Sequence, residues 1–66
     1  MVIFVNGKEK IVEKQLTLNT LIKLIKIENQ RVAIEINKEI IPRSVYAERV
    51  IFEFDNIEII TAVGGG

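Results

Sequence analysis

The apolar residues of this chain change period once and then change back, and this limits the fold more than any other feature. Residues 2–5 are β-branched or aromatic, and residues 9–13 hold Ile11 and Val12 between charged neighbours. Asn6-Gly7 between them is a strong two-residue turn signal, so the chain opens on a predicted β-hairpin. From Thr17 onward Leu18, Leu21, Ile22 and Ile25 recur at i, i+3, i+4 and i+7, while Asn19, Lys23 and Lys26 fall toward the other side. That spacing predicts one amphipathic helix, capped by the Thr17 hydroxyl and ending near Glu28-Asn29. Lys23 and Lys26 lie toward the end where the helix dipole favours cations.

The period of two then returns. Val32, Ile34 and Ile36 alternate within residues 31–36, and Asn37-Lys38 separates them from the short apolar pair Ile40-Ile41. Pro42 has no N–H to give a ladder and biases Ile41 toward an extended conformation, so regular pairing is expected to stop there. Residues 44–48 suit a short helical turn. Residues 50–54 and 57–63 supply the last extended segments, divided by Asp55-Asn56. A lone helix among strands hides its apolar stripe by packing across one face of a sheet. The first and last strands can run parallel and adjacent only if the chain between them crosses over, which the helix permits. The expected class is therefore α+β, a β-grasp: a mixed sheet with one main helix on one face.

A chain of 66 residues has room for one domain and one thin core. It contains neither cysteine nor histidine, so disulfides, a thiolate nucleophile, an imidazole base and the usual zinc ligands are excluded. No catalytic residue and no metal site is expected. Nine basic residues balance nine acidic ones, which is not the basic footprint that draws proteins onto nucleic acid. Although 48% of the residues are hydrophobic, the longest apolar run, residues 1–5, is too short to span a bilayer or to act as a signal peptide. The expected setting is cytoplasmic, without a membrane partner.

Four stretches carry a resemblance that runs nearly the length of the chain. They are Val5-Asn6-Gly7-Lys8 in the opening hairpin, the central Val32-Ala33-Ile34-Glu35-Ile36-Asn37, Ile41-Pro42-Arg43 with Tyr46 after it, and the closing Ile57-Glu58-Ile59-Ile60-Thr61-Ala62-Val63-Gly64-Gly65-Gly66. In this order and at this length the chain resembles the ubiquitin-like sulfur-carrier proteins of thiamine (thiazole) biosynthesis. One departure is Phe54, where the family often has glycine before aspartate. The resemblance implies a ubiquitin-like domain over residues 1–63 and a flexible glycine tail over 64–66. It further implies that an adenylating enzyme similar to ubiquitin-activating proteins activates the carboxylate of Gly66 with ATP. Sulfur from a transfer system such as a cysteine desulfurase then leaves a thiocarboxylate, which the carrier delivers to thiazole synthase. No cofactor is bound intrinsically; the thiocarboxylate is borne covalently, and the protein is a cosubstrate rather than an enzyme. The similar small subunit of molybdopterin synthase, a protein-conjugating modifier and a purely structural interaction module are the competing readings.

The chemistry suits such a tail. A carboxylate repels nucleophiles and lacks a leaving group, whereas an acyl adenylate removes the charge and supplies AMP. Gly64 and Gly65, without Cβ atoms, allow the close backbone approach that narrow enzyme clefts require. If Ile3, Val5, Ile57 and Ile59 face the core, then Phe4, Ile60 and Ala62 lie on the opposite sheet face as a docking patch; the inverted phase is the competing reading. Arg43 is a candidate contact for an acidic group on a partner, set against a plain solvated role. Tyr46 is expected to pack over the edge of the core. The carboxylates Glu35, Glu39, Glu48, Glu53, Asp55 and Glu58 are read as solvated charge.

Overall fold

The computed structural model describes residues 1–28 and 30–61. The first hairpin pairs β1 (Val2–Val5) with β2 (Lys8–Ile11), Val5 opposite Lys8. Its turn residues Asn6 and Gly7 have φ of 50° and 82°, the pair of positive values that matches a two-residue turn to the twist of the strands. A second hairpin repeats the device. β3 (Val32–Ile36) and β4 (Glu39–Ile40) are joined by Asn37 and Lys38 at φ 52° and 69°.

The helix α1 spans Leu18–Leu24. Thr17 caps it from an extended conformation, its Oγ1 accepting the Thr20 N–H at 3.2 Å. The helix stops about a turn before the expected Glu28-Asn29, a correction with a definite cause. Lys26 adopts φ 62°, its N–H donates to the Lys23 carbonyl, and the Ile27 N–H donates to the Ile22 carbonyl, both at 3.1 Å. These two bonds close a Schellman cap with lysine in the left-handed position usually given to glycine. Ile27, packed against the core that holds Ile22, anchors the reversal.

The last strand, β5 (Asn56–Thr61), runs between β1 and β3, giving a five-stranded sheet of order β2-β1-β5-β3-β4. It is parallel to β1 and antiparallel to β3. With α1 crossing one face, this is the β-grasp expected from the sequence. Ile3, Ile34, Ile36 and Ile57 from the sheet meet Leu18, Leu21 and Ile22 from the helix in the core, joined by Leu16, Ile41, Tyr46 and Ile51. Burying each such side chain contributes roughly 1.5–3 kcal/mol.

The segment 50–54 is not a sheet strand. Only Val50 forms an isolated bridge, to Thr17, and the Leu18 N–H donates to the Arg49 carbonyl and the Ile51 N–H to the Leu16 carbonyl, each at 2.8 Å. The chain here braces the entry to the helix and then turns sharply into β5, with Phe54 at φ 67°. The expected helical turn at 44–48 is a 3-10 turn at Arg43–Val45, one residue earlier.

Candidate functional site

The site is organised around the end of β5, since the candidate covalent centre lies five residues beyond Thr61. Gly66, the candidate tail-recognition residues Gly64 and Gly65, and Ala62 lie outside the described residues. What the structure describes is the strand that delivers them and the surface around its exit.

Register assigns the faces. Ile3 and Ile57 are buried, and Val5 and Ile59 pack against the core. Phe4 pairs with Asn56, and Ile60 with Ala33, on the opposite, outer face. Phe4 is half-buried and Ile60 is 50% exposed. They are not neighbours: four residues of strand separate the Phe4 level from Ile60, roughly 13 Å. Glu58, directly opposite Glu35, lies between them. Like charges in that position repel modestly, so the outer face is divided by an acidic rung rather than being one apolar patch.

At the exit end the structure brings Ile60 and Arg43 together. They line an open depression of about 490 Å³ with Arg31, Val32 and Ala33. Arg43 is carried there by the 3-10 turn that follows Pro42, and Arg31 by its place just before β3. The sequence reading singled out Arg43 and missed Arg31, because their proximity depends on the β3–β4 pairing and their meeting with Ile60 on the β3–β5 register. A depression lined by apolar residues and two arginines suits a protein surface with an apolar contact and a carboxylate.

At the other end, Asp55 departs from the expectation of solvated charge. It is 8% exposed; Oδ1 accepts the Asn37 Nδ2 at 3.0 Å and Oδ2 accepts the Phe52 N–H at 2.9 Å. The carboxylate ties the turn before β5 to the turn after β3. Asn37 Oδ1 accepts the Asn56 N–H at 3.0 Å, and across the strand Asn6 Oδ1 accepts the Ile59 N–H at 2.7 Å. In the sequence these asparagines were legible only as turn residues. Tyr46 is buried at the core edge, as expected. Among the described residues no group of three or more His, Cys, Asp or Glu side chains could hold a metal ion, and no helix is long and apolar enough to cross a membrane.

These features define a class: a β-grasp domain whose central strand leads into a short glycine-rich segment. A model of the ThiS family matches residues 3–66, and the chain belongs to that family. It is similar in structure to the thiamine biosynthesis protein ThiS of Geobacter metallireducens, with a TM-score of 0.87, 28% identity and full coverage of both chains. In sequence it is 33% identical over 66 residues to a thiazole synthase of Paramagnetospirillum magneticum, and 36% identical over 62 residues to the uncharacterized protein ycf40 of Porphyra purpurea. The match covers 94% of this chain and 87% of the Porphyra protein. The chain spans only 20% of the length of the thiazole synthase, although all of it is matched.

Proposed function

We propose that this protein is a sulfur carrier for the assembly of the thiamine thiazole, working through the carboxylate of Gly66. The observation that carries this reading is the family match, which extends from residue 3 to Gly66 and so includes the terminal glycines. A carboxylate oxygen of Gly66 attacks the α-phosphate of ATP on an adenylating enzyme, releasing pyrophosphate and forming the acyl adenylate. A cysteine desulfurase converts cysteine to alanine and a persulfide, whose outer sulfur a thiol reductant releases as sulfide while itself becoming a disulfide; that sulfide then replaces AMP. The C–S bond forms as the C–O bond to AMP breaks, exchanging one carboxylate oxygen for sulfur. The relatives named thiazole synthase support the matching enzyme as the acceptor. The protein itself acts as cosubstrate; the absence of cysteine and histidine from its sequence favours that role over catalysis.

The test uses an adenylating enzyme, a cysteine desulfurase, cysteine, a thiol reductant and ATP, with the carrier analysed by intact mass. The parent gains the mass difference between sulfur and oxygen. A chain extended beyond Gly66 has an amide where the reactive carboxylate stood and gains nothing, while unfolding at the parent's midpoint. Parent-like thiocarboxylation of the uncleaved extended chain at Gly66 would refute the assignment.

A further inference from the structure

The two hairpin turns that flank β5 use one device twice. In the parallel pair β1–β5, the Phe4 N–H donates to the Asp55 carbonyl and the Asn6 N–H to the Ile57 carbonyl, both at 2.9 Å. The next rung of that ladder runs from the N–H of residue 59 to the carbonyl of residue 6. Asn6, however, has turned away into the hairpin at φ 50°, and its side-chain Oδ1 accepts the Ile59 N–H at 2.7 Å instead. On the other side of β5, the Asn37 N–H donates to the Asn56 carbonyl at 2.8 Å. The reciprocal bond, from the Asn56 N–H, again goes to the side-chain Oδ1, because Asn37 also turns, at φ 52°. Each asparagine therefore lets the chain reverse while a side-chain oxygen supplies the acceptor its backbone has withdrawn. Asparagine fits both demands, tolerating positive φ and carrying a short amide.

We infer that Asn6 and Asn37 are positioning residues for the carrier's tail. Asn37 fixes β5 at its start and Asn6 grips it at Ile59, the root of the tail, so the segment that begins after Thr61 starts from a set point and direction when the protein meets its activating enzyme. This rests on the carrier reading given above. Without the Asn6 bond, β5 keeps β3 as its partner near Ile59 but loses its hold on the β1 side. The enzyme must then order that root as it binds, which weakens binding without altering the bound geometry.

The experiment compares Asn6→Gly, which keeps the turn but loses the acceptor, with Asn6→Asp, which keeps an acceptor oxygen. Asn37→Gly and Asn37→Asp form the second pair. Amide exchange by NMR is read at Ile59 and Asn56, with the buried Leu21 on α1 as the control for global opening. In Asn6→Gly, exchange at Ile59 accelerates about tenfold, the scale of one hydrogen bond, while Leu21 is unchanged. The KM for the carrier with the adenylating enzyme rises roughly three- to tenfold at nearly constant kcat, the signature of lost uniform binding. Asn6→Asp restores both readings. Asn37→Asp restores neither, because it removes the Nδ2 donor and sets a second carboxylate against Asp55. Accelerated exchange at Ile59 with an unchanged KM, or equal acceleration at Ile59 and Leu21, would overturn the positioning role alone. A parent chain that the enzyme does not adenylate would overturn the carrier reading, and the positioning role with it.

Discussion

Phe54 stands at φ 67°, where an L-residue is strained, and its side chain is 64% exposed. The two substitutions Phe54→Gly and Phe54→Ala remove the same limited aromatic contact, so their difference isolates the backbone. A left-handed conformation costs a residue with a Cβ about 1–2 kcal/mol. Glycine's extra freedom in the unfolded chain takes back about 0.4–1 kcal/mol. The glycine variant should therefore be the more stable by about 0.5–1 kcal/mol, the reverse of the order within helices, where alanine leads glycine by about 0.8–1.0 kcal/mol. The turn has no room to relax out of this conformation. The Asp55 carboxylate holds the Phe52 N–H, and the Phe54 N–H donates to the Val2 carbonyl at 2.6 Å. Urea unfolding followed by circular dichroism measures the difference: with a slope of about 1 kcal/mol per molar, the midpoints separate by about 0.5–1 M. An alanine variant as stable as the glycine variant, or more so, would refute the claim that backbone strain is stored at this turn.

Lys26 offers the same strain without an aromatic group, because it is exposed and holds the left-handed position of the helix cap. Lys26→Gly should stabilise the fold by about 0.5–1 kcal/mol, raising the thermal midpoint by a few degrees on the usual scale of about 4–8 °C per kcal/mol. Ile60→Glu tests the surface beside the exit of β5. Its stability should stay within about 0.5 kcal/mol of the parent, since Ile60 is on the outer face, while kcat/KM for adenylation falls about tenfold through charge on an apolar contact. Unfolding curves and initial pyrophosphate release measured on the same preparation separate the two effects.

What the sequence determined by itself was local in origin. Asn6-Gly7 announced its turn because two-residue hairpins demand positive φ, and Asn37-Lys38 marked the break between β3 and β4. The i, i+3, i+4, i+7 spacing from Leu18 marked the buried face of α1, whose start was legible in Thr17. The departures came from contacts between distant parts of the chain. Lys26 does not advertise a left-handed cap; the packing of Ile27 against the core makes that reversal worth its strain. Residues 50–54 read as an extended segment, yet the Leu16 carbonyl takes the Ile51 N–H and the Asp55 carboxylate takes the Phe52 N–H and bends the chain away. Asp55 is buried because Asn37, eighteen positions earlier, supplies a donor for it. The meeting of Arg31, Arg43 and Ile60 and the grip of Asn6 on Ile59 belong to the same kind. Periodicity and turn chemistry act between residues a few positions apart, whereas strand register is settled only once β5 has entered the sheet between β1 and β3.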